Sequence, residues 1–326
     1  MRKFYQIFFG ILVVALFLEV LIGFPIHLES TSENNPENNP ETAGSRKDLS
    51  HYSGAQQKME GVHLVESRKG SRDWELFAEV AEGYEGKGAW ELKNVRVLFY
   101  NGEAVDFTVL GKAGRIDTKT KDMKIEGDVK TTSINGYQFN SAMVEYFSEK
   151  RLLVSPGKVK MVGPADTKGK GLVVLGTGME TNIEQNLMKI SAEVSATKAF
   201  LDGKNFIIRS RSAEFSGKSK SAKFLEKVTI QIDTLKMEGP EAQFEYSSGT
   251  DFLSSILLKG GVKVSGFDKY ATAEQVNFDP AENKFVFNGS PRVVQNSDEI
   301  TGDQIVFLDG GKRVKVENIK ARVDNK

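Results

Sequence analysis

The sequence predicts an all-β protein carried on a single N-terminal transmembrane helix. Three observations predict it. Apolar residues recur with period two from Gly61 onward, the 326 residues include 31 glycines but only 8 prolines, and one apolar run of membrane-spanning length stands at the N-terminus.

The run extends from Ile7 to Phe24, interrupted only by Gly10, Glu19 and Gly23, and ends at Pro25. A cleaved signal has a shorter apolar core followed by a small-x-small site, whereas Pro25-Ile26-His27-Leu28 follows here, so residues 1–28 read as a retained anchor. Arg2 and Lys3 before the span put the N-terminus in the cytoplasm and the bulk of the chain in the periplasm, at an inner membrane. Ile7, Leu12, Leu16, Glu19 and Leu21 are the candidate contacts with neighbouring transmembrane helices. Glu19 is the costly member, at about 3 kcal/mol for a carboxylate in mid-span. Either it is protonated or lies near the outer interface, or it meets a polar partner on another span. Glu19→Leu separates the two readings: loss of co-purification with a partner membrane protein is expected only for the second.

Residues 29–58 follow as a flexible linker. Between Glu29 and Ser50 the chain is Asn, Glu, Ser and Thr punctuated by Pro36 and Pro40, with almost nothing to bury. The strands begin with Val62 and Leu64, and Arg68-Lys69-Gly70-Ser71 turns the chain into a hairpin whose second strand places Trp74, Leu76, Ala78 and Val80 on one face. Trp90 and Leu92 continue, but Val95, Val97 and Phe99 take the opposite parity, which requires a bulge or bend at Lys93-Asn94. Val105, Phe107 and Val109 form the next stripe, then Met123, Ile125 and Val129. A unit of about thirty residues recurs: Gly127-Asp128-Val129, Gly157-Lys158-Val159, Gly261-Val262 and Gly289-Ser290-Pro291-Arg292-Val293 each read as the opening of a strand. A second strand follows in each unit, such as Ala142, Val144, Tyr146 or Ala242, Phe244, Tyr246. A soft boundary at Leu201-Asp202-Gly203-Lys204 divides the region into two modules, 59–200 and 201–326.

Composition excludes several functions. Lysine plus arginine and aspartate plus glutamate are equal at 44 each, so no net field favours nucleic acid. There is no cysteine, and the three histidines, His27, His51 and His63, lie far apart, so neither a clustered metal site nor a Ser-His-Asp constellation is apparent and no cofactor is expected. An enzyme has no positive sign. A structural scaffold that polymerises through its sheet edges stays open.

The order of basic N-terminus, span, tether and then Gly61-Val62-His63-Leu64-Val65-Glu66, Trp74-Glu75-Leu76-Phe77-Ala78, Leu92-Lys93-Asn94-Val95-Arg96-Val97-Leu98-Phe99-Tyr100, Ile125-Glu126-Gly127-Asp128-Val129 and Gly169-Lys170-Gly171-Leu172 resembles the LptC family over about the first two hundred residues. The remainder resembles LptA and its OstA-like relatives through Gly289-Ser290-Pro291-Arg292-Val293, Thr301-Gly302-Asp303-Gln304-Ile305-Val306-Phe307 and Arg313-Val314-Lys315-Val316-Glu317. The resemblance implies an open twisted β-jellyroll in two consecutive modules, and a conduit for lipopolysaccharide. It also implies an ABC transporter whose permease helices the anchor contacts, and a periplasmic LptA-like bridge protein docked by edge-to-edge β-pairing.

On this reading Trp74, Leu76, Val97, Phe99, Phe107, Val109, Val129, Tyr137, Phe139, Tyr146, Val159 and Met161 are the candidate lipid-binding residues, any of which a packed core would use equally well. An acyl chain of a dozen methylenes costs on the order of 10 kcal/mol to expose, at ~0.8 kcal/mol each, so a carrier must keep it covered. Lys158, Lys160, Lys168 and Lys170 are candidates for lipid phosphates. Val314, Val316 and Ile319, in the alternating stretch Val314 to Val323, mark the candidate partner edge.

Overall fold

In a computed structural model the described residues form strands, turns and irregular connections, with no helix among them. They are 57–84, 86, 88–134, 136–165, 170–199, 203, 205–246, 253–266, 269–279, 281–295, 298–308, 313–318 and 320–322. The anchor positions Ile7, Leu12, Leu16, Glu19 and Leu21, the linker up to residue 56, Lys168 and Ile319 lie outside them.

The first nine strands are β1 (Gln57–Arg68), β2 (Ser71–Gly83), β3 (Ala89–Asn101), β4 (Ala104–Asp117), β5 (Met123–Ser133), β6 (Gln138–Phe147), β7 (Leu152–Val162), β8 (Val173–Asn182) and β9 (Leu187–Ala199). Then come β10 (Asn205–Ser210), β11 (Ser212–Ser216), β12 (Ser221–Ile232), β13 (Leu235–Tyr246), β14 (Leu253–Ser265) and β15 (Lys269–Asp279). The chain closes with β16 (Lys284–Asn288), β17 (Arg292–Gln295), β18 (Asp298–Thr301), β19 (Gln304–Leu308), β20 (Arg313–Glu317) and β21 (Lys320–Arg322). From β1 to β9 each strand pairs antiparallel with the next, as short hairpin turns dictate. The first of those turns, Lys69-Gly70, has both residues at positive φ (52° and 81°), the geometry that matches strand twist.

Most of these strands are too long to bury one flat face, and they do not try. Register shifts fall near the middle of ladder after ladder: at Leu110/Ala113, Glu126/Val129, Ser141/Glu145, Ser155/Lys158, Leu175/Thr177, Leu225/Val228, Glu238/Glu241 and Lys259/Val262. Each is a bulge, and a bulge bends its strand. Lined up across the sheet, they crease it into two layers, with one half of each strand in each layer. At Gly127-Asp128 (φ 83° and 51°) and Gly260-Gly261 (84° and 86°) two consecutive left-handed residues make the bend. These glycines therefore lie inside β5 and β14 rather than opening strands, as does Gly157 inside β7. The thirty-residue repeat marks a crease, and its period is two strands plus their turns. Gly289, by contrast, does fall in the gap between β16 and β17.

The crease also accounts for the parity change in β3. Asn94 takes φ 52°, Leu92 and Val95 are both buried, and no register shift accompanies the switch because β2 changes parity with it. For that reason the inward residue after Ala78 is Ala81, and Val80 is only half-buried.

At the sequence boundary near residue 201 the ladder continues: the two halves of β9 pair separately with β10 and β11, which both pair with β12. The two layers finally part after β15. Its first half pairs with β17, leading to β18 and β21, and its second half with β16, leading to β19 and β20. Among the described residues, the stretch read as one edge thus divides between two short strands, β20 and β21, on different layers.

Glycines fill the crease where no side chain fits. A Cβ at Gly111 would stand 2.4 Å from Ile125 Cγ2, and one at Gly176 2.4 Å from Ile190 Cγ2. Gly176→Val is expected to destabilise the chain by about 1–3 kcal/mol through overpacking, read as a lower midpoint in chemical denaturation, whereas Gly70→Asn, at a turn with open space around it, moves the midpoint far less.

Candidate functional site

Between the layers run two apolar clusters. The first holds Val62, Trp74, Leu76, Val97, Phe99, Val109, Ile125, Val129, Tyr146 and their neighbours as far as Leu153. The second begins with Tyr137 and Met161 and runs through Val174, Phe206, Phe224, Phe244 and Phe278 to Ile305. The second cluster thus starts inside the first module and crosses residue 201.

All twelve candidate lipid-binding residues face this interior. Trp74, Leu76, Val97, Phe99, Val109, Val129, Tyr137, Tyr146, Val159 and Met161 are buried, and half-buried Phe107 and Phe139 pack against the first and second clusters. The structure does not gather them into an open slot: Trp74, Leu76, Val97 and Phe99 are at most 1% exposed. The Phe99 ring lies 5.0 Å from Phe107 and 4.8 Å, edge on, from Tyr146 of the opposite layer. The interior of the first module is closed by its own side chains. Lys158 and Lys160 are exposed on β7, in alternation with inward Val159 and Met161, and so point away from it.

The opening lies where the layers part. An open cleft of about 200 Å³ is lined by Val293, Ile300, Ile305, Phe307 and Val314, with Lys269, Gln295 and Asp298 at its polar margin. That is less than the ~300–1,000 Å³ of a complete small-molecule site, so the cleft is a mouth rather than a chamber. Val314 is 47% exposed and Val316 packs against the second cluster. Among the described residues β20 pairs only with β19, and β21 only with β18, which leaves one side of each as free edge; at the other end of the sheet β1 pairs only with β2. Sequence periodicity missed the cleft because Ile300 and Phe307 look like any other closing strands; only the divergence of the layers separates them.

A second arrangement was not foreseen either. Asp73, 2% exposed, sits at the margin of the first cluster. Arg68 Nε donates to its Oδ2 at 3.2 Å and Tyr146 Oη at 3.5 Å, while Arg151 Nη2 stands 2.9 Å from its Oδ1. Arg68 Nη2 also donates to the Ser148 carbonyl at 2.6 Å, and Arg151 Nη2 to the Tyr100 carbonyl at 3.4 Å. Burial, and next the charge of Asp73, push the Tyr146 phenol up to about 12, against the opposing pull of Arg151 and Arg68. Burial likewise raises the Asp106 carboxyl, opposed by Arg151. No spacing rule brings residues 68, 73 and 151 together; the signal available was a single aspartate just before an inward tryptophan.

Residues 30–199 match the family profile described as lipopolysaccharide-assembly, LptC-related, which is more than half of the chain. The chain belongs to the LptC-related family. Residues 207–309 match a second profile, LptA/(LptD N-terminal domain) LPS transport protein. The family and this second match give the chain a role in lipopolysaccharide transport, and no catalytic family is indicated. Among solved structures, LptH of Pseudomonas aeruginosa, described as the LptA homologous periplasmic component of the lipopolysaccharide transport device, is similar at 14% identity. The match covers 36% of this chain and 94% of that one, with a TM-score of 0.33. No curated protein matches the chain.

Because the raised phenol is protonated in the folded chain, Tyr146 contributes stability that is complete below about pH 10, the ordinary tyrosine value, and is lost as pH rises toward about 12. Denaturation midpoints across that window should fall more steeply for the native chain than for Tyr146→Phe; parallel curves would show that this phenol titrates normally.

Proposed function

We propose that the chain is a conduit that receives lipopolysaccharide from an inner-membrane ABC transporter and passes it, acyl chains inward, between the two layers toward the outer membrane. The observation that carries this reading is the second apolar cluster, which runs through both family matches and ends at an open mouth lined by apolar and polar side chains in similar measure. An amphiphile with several acyl chains needs such a continuous cover, because each step through water would expose about 10 kcal/mol of hydrocarbon per chain. In this reading residues 1–28 anchor the chain beside the permease helices and residues 29–58 tether the two modules, 59–200 and 201–326, in the periplasm. The free edges of β20 and β21 add strands to an LptA-like bridge protein. Their shortness, five and three residues, limits indiscriminate pairing.

The twelve inward residues serve as lining only when the layers separate. Lipid entry then exchanges side-chain contacts for acyl contacts of similar chemistry. The filled interior of the first module favours one other reading, an envelope scaffold joined through its sheet edges that carries no lipid.

Photo-crosslinkers decide between them. Placed at Ile300 or Phe307 in the cleft of the full chain in active cells, they are expected to capture lipopolysaccharide, with weaker capture at Phe99 and Phe139 in the closed region. Absence of lipid adducts at all four positions, with partner adducts retained at Val314, would leave the scaffold.

A further inference from the structure

The contact around Asp73 joins elements that are not sheet neighbours. Arg68 ends β1 and Asp73 begins β2, in one layer; Ser148 and Arg151 belong to the turn between β6 and β7, at the free margin of the other. Their ion pair and hydrogen bonds therefore span the gap between the lips of the fold, beside the ring contact of Phe99 with Tyr146.

The cluster is under-satisfied for its burial. Arg151 Nε has no hydrogen-bond partner, and Asp73 Oδ1 faces Arg151 Nη2 at 2.9 Å without the alignment of a hydrogen bond. The neighbouring Trp74 Nε1 is also buried without an acceptor. A guanidinium offers a planar fork that a carboxylate or phosphate fills with two parallel bonds; here one arm of the fork is empty. Two arginines converge on one carboxylate. A tetrahedral anion carries more acceptor oxygens and more charge than Asp73, and it would fill both Nε and Nη2 of Arg151 while keeping Arg68.

We propose that Arg68 and Arg151 form a binding site for an anionic group of the phosphate class on the headgroup of an acylated amphiphile, that Asp73 occupies this site in the closed chain, and that the incoming headgroup displaces Asp73 and so unlatches the two layers. The proposal rests on the lipid-carrying reading and deepens it. Recognition of the headgroup is then coupled to entry of its acyl chains, because the same contact that binds the anion opens the interior next to it. An uncharged amphiphile meets a closed margin.

The test uses the full chain in detergent micelles. Because the chain has no cysteine, Lys69→Cys with Glu149→Cys, at the exposed tips of the two turns, gives a pair of labels that reports the separation of the lips. Three probes are compared: the bisphosphorylated glycolipid anchor of lipopolysaccharide, the same lipid after phosphatase treatment, and inorganic phosphate. The phosphorylated lipid should widen the label distance and bind roughly tenfold to hundredfold more tightly than the dephosphorylated one, the range of a charge-assisted hydrogen bond. Arg151→Gln should abolish that preference. Asp73→Asn should widen the distance without lipid and strengthen binding of the phosphorylated lipid, with thermal melts and far-UV circular dichroism showing that both variants fold; Arg151→Lys, which keeps charge without the fork, should retain part of the preference. Equal binding of both lipids, or an unchanged label distance, overturns the latch while leaving the conduit intact. Widening by inorganic phosphate alone, at the concentration used for the lipid, overturns the headgroup assignment. Failure of the native chain to bind either lipid overturns the conduit itself.

Discussion

A β-strand of thirteen residues such as β2 shows alternate side chains to two faces and, kept straight, makes one flat and half-wet surface. Bending it in the middle lets the inward side chains of one half face those of the other, and a run of bulges in register does this for strand after strand. Everything else in the fold depends on that crease. It makes the two layers, sets their spacing through the glycines and left-handed residues at the bend, and leaves margins opposite the bend that have no covalent connection. Glu226 and Lys227, both at positive φ, show how strongly the bend is imposed, since left-handed conformation costs roughly 1–2 kcal/mol for each non-glycine residue. The buried neighbours Phe224, Val228 and Ile230 offset that cost only if the bend is kept.

The crease was half-visible in the sequence. Alternation told the strands, the Arg68–Ser71 turn and the inward stripes, because period two is a property of neighbouring residues. The recurrence of Gly127-Asp128, Gly157 and Gly261 was visible too, but glycine serves a turn and a bulge equally, and only the pairing partners on both sides distinguish them. The slip at Lys93-Asn94 was legible because Leu92 and Val95 cannot share a face of a straight strand. Residues brought together across the layers, Asp73 with Arg151 or Val293 with Phe307, were not legible, since their separation along the chain carries no period. The anchor and its Glu19 rest on the sequence alone.

Two layers joined at a crease behave differently at their two ends. Near β1 the margins are held by a buried charge cluster over a filled aromatic interior, and near β19 the layers diverge around the cleft. In the proposed conduit, a lipid arriving from the anchor side would meet the better-closed end first. Breaking a buried ion pair without replacing it is expensive, because a desolvated charge is left uncompensated, whereas exchanging one anion for another keeps the arginines neutralised throughout. Under the proposed latch, selectivity for an anionic cargo follows from the cost of the alternative, provided that the parted layers expose the displaced Asp73 to water.

The same exchange principle governs the apolar part. Parting the layers around Trp74, Leu76, Val97 and Phe99 forfeits about 1.5–3 kcal/mol for each side chain left in water. An acyl chain sliding into the same space restores apolar contact at ~0.8 kcal/mol per methylene, so a chain of a dozen methylenes compensates for several displaced side chains. A permanently open slot would hold acyl chains without releasing them, and would expose a greasy face when empty. In the proposed conduit, a sheet that closes on itself between passengers would narrow the free-energy gap between occupied and empty states, and so let cargo move from one stretch of the interior to the next. The sequence carries no apparent nucleotide-binding loop, so in the proposed conduit the drive comes from a partner, the transporter that loads the chain. The chain's part in the proposed conduit is to keep the path level.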